Sequence, residues 1–305
     1  VYKQAGYLHR YDPSSGETQQ LAIEVRGDLP WTRPDWKDVG DQVRTARLSP
    51  TGERAIMEAR GEVFTVPTEH GDWRNLTESA GAADRSPAWS PGGEQVAWFS
   101  DASGEYQLVV ADQKGLTEPE RFDLPGPTFY YELEWSPDST HVLFTDANRT
   151  LWAFDTETGE ATEFDLPGGV AGFGLESVLD ADRVILTYTT PTQRPELLVY
   201  NVSTHEYETL VEAEYGPFDP ADFADAEYLT VESNGIPETA QAAVEHDPYD
   251  ELEIGALLYD SGQRPPPLIV TPHGGPRSRD VQRFHLHTPD LVSLGSPVLP
   301  VHSPR

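Results

Sequence analysis

The chain has 305 residues, and its 52 Asp and Glu against 21 Lys and Arg give a formal net charge of −31. Its length and its 37% of hydrophobic residues suffice for a buried core, but so anionic a surface repels phosphate and anionic lipid, so we expect neither nucleic-acid nor membrane partners. The absence of cysteine excludes disulfides and thiolate chemistry.

The first predicted elements are strands that belong to a repeat. Ser-Pro turns recur at intervals of 41 and 46 residues, at Ser49–Gly52, Ser90–Gly93 and Ser136–Ser139. Each turn is followed by a short apolar run, and a second apolar run comes at a fixed distance after it. Val, Thr and aromatic residues favour strands, and Pro favours the first central position of a turn. The pattern therefore predicts β-hairpins in every repeat.

Four predicted strands in a unit of about 40 to 45 residues are typical of a β-propeller blade. We count four blades, the fourth marked by Val184–Thr187 without a Ser-Pro turn, and before them half a blade at Tyr7–Leu21. A β-sandwich would have similar strand spacing but gives no reason for the Ser-Pro turns to recur. We therefore predict a β-propeller of WD40-like repeats over residues 1–215. Since an open ring exposes strand edges, we expect either blades upstream of Val1 or closure by a strand from the other end.

Several motifs in the blades resemble one family. They are Arg60–Pro67, Arg74–Thr77, Pro87–Pro91 and Trp98–Tyr106. Over about residues 5–165 the chain resembles the propeller region of the tricorn protease. The resemblance implies propellers that gate the passage of peptides to a serine-protease core, and none of that core is recognisable in the chain.

After residue 215 the repeat stops, and strands are predicted at Tyr228–Gly235, Glu253–Tyr259 and Leu268–Thr271. The last of them leads through Pro272 into His273-Gly274-Gly275. A short strand that enters a Gly-rich turn is typical of the oxyanion loop of α/β-hydrolases. There the glycines allow backbone N–H groups to approach the acyl oxygen. The alternative is an ordinary Gly-Gly turn with a surface His.

With the flanking stretches Arg277–Asp280 and Pro191–Leu197, this turn is similar to the prolyl-oligopeptidase family, in particular its acylaminoacyl-peptidase branch, over about residues 175–296. The resemblance implies a propeller joined to a Ser-Asp-His hydrolase domain that cleaves oligopeptides. It also implies that Gly274 and Gly275 lie at the oxyanion loop and that His273 shapes it.

The catalytic triad of such a hydrolase is not identified. The nucleophile, acid and His of α/β-hydrolases follow the oxyanion loop, but no G-x-S-x-G frame occurs in the chain. Pro297, Pro300 and Pro304 are expected to interrupt what should be a central strand. We therefore expect a truncated or frameshifted reading frame and a chain that is inactive as a peptidase on its own, with a genuine C-terminal variant as the alternative. The candidate residues that remain without a frame are Ser278, Ser293, Ser296, Ser303, His285, His287 and His302.

Other chemistry has little support. Asp138 and Asp146 flank a predicted hairpin and could hold a cation, but the spacing is not that of an EF-hand. No H-E-x-x-H pair, P-loop or dinucleotide fingerprint is present. We predict no metal, no cofactor, and tryptophans that belong to the core of the blades.

The cations carry one more signal, because three are Lys and eighteen are Arg. Dispersed acid with scarce Lys resembles the proteins of organisms that keep molar salt inside the cell. At molar salt the Debye length falls to roughly 3 Å, so repulsion among carboxylates is screened. An acidic protein of an ordinary cytosol is the alternative.

The predicted fold is thus mainly β, with a propeller of about four and a half blades over residues 1–215 and the truncated start of an α/β-hydrolase domain over 216–305. The predicted function is the propeller-containing portion of a cytoplasmic serine-type peptidase with oligopeptide substrates. A non-catalytic propeller that binds a protein partner is the alternative, and a pseudogene product with no settled function is a third possibility.

Overall fold

The computed structural model describes residues 1–4, 6–23, 27, 37–79, 81–174, 177–234, 250–262, 267–272 and 280–301. The chain forms two compact units, Val1–Asp41 and Gln42–Arg305. The first contains a three-stranded antiparallel sheet of β1 (Tyr2–Gln4), β2 (Tyr7–Tyr11) and β3 (Thr18–Gln20). The strands of the predicted half blade are present, and β1 is a strand that the sequence pattern did not indicate.

The second unit contains four antiparallel four-stranded sheets, each with its strands in sequence order, as in a propeller blade. Short 3-10 turns occupy Gly40–Gln42 and Pro220–Asp222. The blades predicted from the repeat are confirmed. Blade 1 is β4 (Val43–Leu48), β5 (Arg54–Ala59), β6 (Glu62–Pro67) and β7 (Arg74–Asn75); blade 2 is β8 (Asp84–Trp89), β9 (Gln95–Ser100), β10 (Gln107–Asp112) and β11 (Glu120–Asp123); blade 3 is β12 (Tyr130–Trp135), β13 (His141–Asp146), β14 (Leu151–Asp155) and β15 (Ala161–Glu163); blade 4 is β16 (Val170–Gly172), β17 (Arg183–Thr189), β18 (Glu196–Asn201) and β19 (Tyr207–Val211).

The Ser-Pro turn joins the first two strands of blades 1, 2 and 3 with the same hydrogen bonds. In blade 3, the Ser136 N–H donates to the His141 carbonyl at 2.8 Å, and the Ser136 hydroxyl accepts from the His141 N–H at 2.8 Å. Ser49 and Ser90 make the same pair of bonds with the residue five positions later. All three serines are buried. A buried hydroxyl needs a partner, and the hairpin backbone supplies it, which explains why Ser recurs at this position.

Two tryptophans that precede these turns connect neighbouring blades. The Trp89 indole N–H donates to the carbonyl of Arg47 in blade 1 at 3.2 Å. The Trp135 indole N–H donates to the carbonyl of Ala88 in blade 2 at 3.3 Å. Both rings are buried, as is Trp98, so burial of the large ring and satisfaction of its N–H are achieved together. The prediction that tryptophans belong to the blade core is confirmed for these three.

A mixed sheet follows blade 4. It consists of β20 (Ala226–Asn234), β21 (Asp250–Tyr259), β22 (Ile269–Pro272) and β23 (Val298–Val301), in the order β20-β21-β23-β22. Strands β20 and β21 are antiparallel, whereas β22 and β23 are parallel. Parallel neighbours require a crossover, and the crossover from β22 to β23 contains the helix α1 (Thr288–Ser293). The chain therefore changes from antiparallel blades to an α/β arrangement.

Strand β23 forms at the place where prolines were expected to interrupt a central strand. It lies between β21 and β22, and Pro300 is in register with Thr271 of β22. On its other side β23 pairs with β21 only at Val298 and Val301. Because Pro has no N–H to donate, we attribute the missing pairs beside β21 to Pro300. The ladder is weakened but the strand persists, so the expectation of an interrupted strand was wrong here. Within the described part of the chain, no helix has the length and apolar character needed to cross a membrane.

Candidate functional site

The turns within each blade lie at two opposite ends of the strands. Because consecutive strands are antiparallel, the turns between the first and second strands lie at one end. The turns between the second and third strands lie at the other, which we call the hairpin end. It comprises Arg60–Gly61 in blade 1 and residues 101–106, 147–150 and 190–195 in blades 2, 3 and 4.

The segment Asp280–Phe284, which precedes α1, contacts the hairpin end at blade 4. The Phe284 backbone N–H donates to Thr189 Oγ1 at 3.2 Å, and Thr189 Oγ1 donates to the Gln193 carbonyl at 2.8 Å. The Phe284 ring also lies 5.6 Å from the Phe223 ring, centroid to centroid. The turn around Gln193 belongs to Pro191–Leu197, a stretch that carried the peptidase resemblance. The segment that contacts it follows the second such stretch, Arg277–Asp280, of which only Asp280 is described.

A cavity of about 800 Å³ opens where this segment meets the hairpin end. Among the described residues, its charged lining consists of Glu132, Arg149 and Arg283, and hydroxyl groups of Ser86 and Thr145 lie in the same wall. A second cavity of about 420 Å³ shares part of this lining, including Arg149. Volumes of about 300 to 1,000 Å³ are those of small-molecule and short-peptide sites. The hairpin end therefore contains a site of suitable size for such a ligand.

Two bulged residues of the first strands line this cavity. The ladders of β8 and β12 shift register at Ser86 and Glu132, whose φ angles are 55° and 58°. A residue other than Gly in this left-handed region costs free energy, and bulges are frequent beside functional sites. The Ser86 N–H donates to a carboxylate oxygen of buried Glu58 at 3.0 Å, and the Thr145 hydroxyl donates to Glu132 at 3.4 Å. These bonds hold the bulges in place.

Arg149 lies in the turn between β13 and β14, also in the left-handed region with φ of 69°. Its backbone N–H donates to the Asp146 carbonyl at 3.0 Å. The Asp146 carboxylate accepts from the N–H groups of Asn148 at 2.7 Å and Thr150 at 3.0 Å. Three backbone bonds to one buried residue fix the turn, and the exposed Arg149 side chain is presented to the cavity.

Two ionisable groups beside the C-terminal segment have shifted pKa values. Burial, with Asp280 acting in the same direction, raises the pKa of Tyr259 to about 12. Burial also lowers the pKa of His285, with Arg283 acting in the same direction. Both groups are therefore neutral at pH 7. Within the described residues, Tyr259 Oη and His285 Nε2 are buried without a hydrogen-bond partner.

The predicted oxyanion-loop residues His273, Gly274 and Gly275 lie outside the described residues. The structure describes both flanks of this loop: β22 ends at Pro272 before it, and Val281 after it lines both cavities. In chain order, β22 is the third strand of the mixed sheet, and in α/β-hydrolases the loop after the third strand supplies an oxyanion N–H. The assignment of His273, Gly274 and Gly275 to an oxyanion loop stays a prediction.

Of the remaining sequence candidates, Ser278, His302 and Ser303 lie outside the described residues. The Ser293 hydroxyl donates to the Asp290 carbonyl within α1 at 2.8 Å. Asp138 and Asp146 stand at opposite ends of β13, roughly 20 Å apart at the usual rise of a strand, so they cannot share a cation. In the parts of the chain that the structure describes, no group of three His, Asp or Glu residues is placed to hold a metal ion.

Sequence reasoning missed the three charged residues of the cavity. Glu132 stands in a strand pattern that gives no indication of a bulge. Arg149 follows Asn148 in a short turn between apolar runs, and a left-handed residue is common in such turns, so this signal was available. Arg283 has no local signal, because its place depends on how the C-terminal segment packs on blade 4.

Comparison with curated proteins finds acylamino-acid-releasing enzymes and a dipeptidyl-peptidase. The chain is 29% identical over 179 residues to the acylamino-acid-releasing enzyme of Rattus norvegicus, an alignment that covers 55% of this chain and 23% of that enzyme. It is 27% identical over 145 residues to dipeptidyl-peptidase 5 of Porphyromonas gingivalis, covering 43% of this chain and 21% of the relative. The matched region thus spans less than a quarter of either curated relative. No protein-family model matches the chain.

Solved structures give the same fold. A structure from a study of two prolyl endopeptidases matches 97% of this chain and 44% of its own, with a TM-score of 0.63 and 16% identity. The resemblance of the chain to the prolyl-oligopeptidase and acylaminoacyl-peptidase family is confirmed, and so is the propeller architecture. The resemblance to the tricorn protease stays a prediction.

Proposed function

We propose that this chain is the propeller-containing portion of a serine-type peptidase of the prolyl-oligopeptidase kind, whose substrates are oligopeptides. The observation that carries the proposal is the contact between Asp280–Phe284 and the hairpin end, where a cavity of a size that suits a short peptide opens. The relatives support it, because one is named as an acylamino-acid-releasing enzyme and the other as a dipeptidyl-peptidase. In this proposal residues 1–215 form the propeller, and residues 216–305 begin the α/β-hydrolase domain.

The chemistry of such a peptidase is acyl transfer to a serine. A general-base His activates the nucleophile, and backbone N–H groups stabilise the oxyanion of the tetrahedral intermediate. In our proposal Gly274 and Gly275 supply the flexible backbone of that oxyanion loop, and His273 shapes it. Strand β22 precedes this loop in the chain and the anchored segment Asp280–Phe284 follows it, and fixed flanks favour the preorganisation that an oxyanion hole requires.

The 305 residues contain no G-x-S-x-G frame for the nucleophile, so we expect this chain to bind peptides without cleaving them. Chromogenic acyl-amino-acid and dipeptide anilides in molar KCl test this, and the expected result is binding without turnover. Should turnover occur, alanine is substituted for Ser278, Ser293, Ser296 and Ser303. Turnover that survives all four substitutions would rule out a serine mechanism in this part of the chain.

A second experiment tests whether this chain is part of a serine-peptidase gene. We expect the DNA downstream of this sequence to encode a G-x-S-x-G motif followed by Asp and His in that order. A downstream region without these codons in any frame contradicts the peptidase lineage and favours a non-catalytic propeller that binds a protein partner. A cytoplasmic location, in a cell that keeps molar salt inside, is a further proposal that rests on composition alone.

A further inference from the structure

We infer that the cavity at the hairpin end binds the free C-terminal carboxylate of a short peptide through Arg149 and Arg283. The inference rests on the proposed function and names which end of the peptide the site recognises. Its starting point is a contrast of charge. The chain carries a net charge of −31, yet the charged residues in the described part of the cavity lining are two arginines and one glutamate.

Both arginines are available for a ligand. Neither guanidinium has a carboxylate within 4.0 Å among the described residues. By contrast, Arg183 forms an ion pair with Asp180 in blade 4. Arg47 of blade 1 forms one with Glu134 of blade 3. In a chain with more than twice as many acids as bases, two cations without a carboxylate partner in one concave site are an unusual arrangement. It suits an anion from outside the protein.

Arginine determines which kind of anion fits. Its planar guanidinium donates two parallel hydrogen bonds to a carboxylate, which makes it the preferred residue for carboxylate recognition. The turn that carries Arg149 is fixed by three backbone bonds to Asp146. The segment that carries Arg283 is fixed by the bond from Phe284 to Thr189. Both side chains therefore project from anchored backbone, and anchoring lowers the entropic cost of binding.

Glu132 argues for a peptide rather than for a simple anion. It shares the cavity with the arginines and accepts a hydrogen bond from Thr145. A small inorganic anion would be repelled by this carboxylate, whereas a peptide can place its terminal carboxylate at the arginines and a backbone N–H at Glu132. The hydroxyls of Ser86 and Thr187 in the same lining supply further polar partners for a peptide backbone.

The test compares two ligands that differ in one charge. N-acetyl-trialanine is prepared as the free acid and as the C-terminal amide, and binding to the full chain is measured by isothermal titration calorimetry in KCl sufficient to keep the chain folded. We expect the free acid to bind roughly ten-fold more tightly than the amide. The acetyl group removes the amino-terminal charge, so the carboxylate is the difference between the ligands.

Three variants assign the effect to residues. Arg149→Asn retains a residue that tolerates the left-handed region, and Arg283→Gln removes the second cation. Each is expected to abolish the preference for the free acid over the amide. Arg60→Asn is the matched control, because Arg60 is an exposed arginine with φ of 55° in the corresponding turn of blade 1 and does not line the cavity. It should retain the ten-fold preference, and urea unfolding of each variant shows that the fold persists.

The outcomes separate this inference from the proposed function. Equal affinity for acid and amide overturns carboxylate recognition but leaves peptide binding in place. A preference that persists in both cavity variants overturns the assignment to Arg149 and Arg283. Failure of both peptides to bind overturns the inference and counts against the peptide-binding role proposed above.

Discussion

Thr189 offers a direct test of how the C-terminal segment is held against the propeller. Its hydroxyl accepts from the Phe284 N–H at 3.2 Å and donates to the Gln193 carbonyl at 2.8 Å. Thr189→Val keeps the shape and the β-branching that suit a strand and removes both bonds. The segment that lines the cavity should therefore open locally more often, while the blade itself stays folded.

The expected magnitude follows from the loss of one neutral hydrogen bond to the segment. Such a bond contributes about 0.5 to 1.5 kcal/mol, which corresponds to an increase of about 2- to 12-fold in the population of the open state. Native-state hydrogen exchange measures this population directly, since the amide of Phe284 exchanges when it is released. The Phe284 ring keeps its contact with the Phe223 ring, so we expect no larger effect.

Thr187→Val is the matched control for this measurement. Thr187 lies two positions earlier in β17, and its hydroxyl donates to the Gly172 carbonyl at 3.1 Å, inside blade 4. Its loss should leave exchange at Phe284 unchanged. If Thr189→Val also leaves the exchange rate of Phe284 unchanged, or if both variants raise it equally, the bond does not hold the segment and our account of the cavity wall is wrong.

Three further predictions concern the blades and the solvent. Ser136→Ala should lower the free energy of unfolding by about 1 to 3 kcal/mol, because the partly buried His141 N–H loses its side-chain acceptor, with a small share from exposed Asp138 that water screens. Burial raises the pKa of Asp138, but bonds from Ser136 and Thr140 outweigh it and lower the pKa below 3.8. The stability from the Ser136–Asp138 bond is therefore present above about pH 3.8 and is lost as the pH falls through the lowered pKa. In urea unfolding, Ser136→Ala should cost less free energy at a pH below this pKa than at neutral pH, and an equal cost at the two pH values would contradict the prediction. Trp135→Phe should cost about 1 to 3 kcal/mol in the same assay, because the buried Ala88 carbonyl loses its partner from the next blade, and a cost within about 0.5 kcal/mol of zero, typical of surface changes, would show that this link is dispensable. Raising KCl to molar levels should raise the midpoint of thermal unfolding, because the −31 charge is then screened, and a midpoint that does not change with KCl argues against adaptation to salt.

The fold could be predicted well where its causes are local. The Ser-Pro turn is a self-contained unit in which Ser136 satisfies the backbone of its own hairpin, so its recurrence marked three blades before any contact between them was known. Strand β23 shows the limit of such reasoning. The prolines in the sequence argued against this strand. In the structure Pro300 stays in register with β22, and pairs are missing only on the side of β21. Whether a strand tolerates a proline is therefore decided by its neighbours in the sheet.

The site shows the same difference between features with local causes and features that depend on tertiary packing. An oxyanion loop after β22 could be predicted from sequence because a strand and a Gly-rich stretch are contiguous features, and it stays a prediction. The cavity could not be found in this way, since Glu132, Arg149 and Arg283 come from a bulge, a turn and a C-terminal segment that are far apart in the chain.

By itself, the sequence determined the repeat, the strands, the kind of relative and the strongly anionic surface, because periodicity, turn chemistry and composition are properties of neighbouring residues. Only the tertiary structure decided that two arginines without carboxylate partners among the described residues meet one glutamate at the hairpin end. The physical reason is that a binding site depends on which distant backbone segments are packed together, and here a bulge in β12, an anchored turn in blade 3 and the bond from Phe284 to Thr189 set that packing.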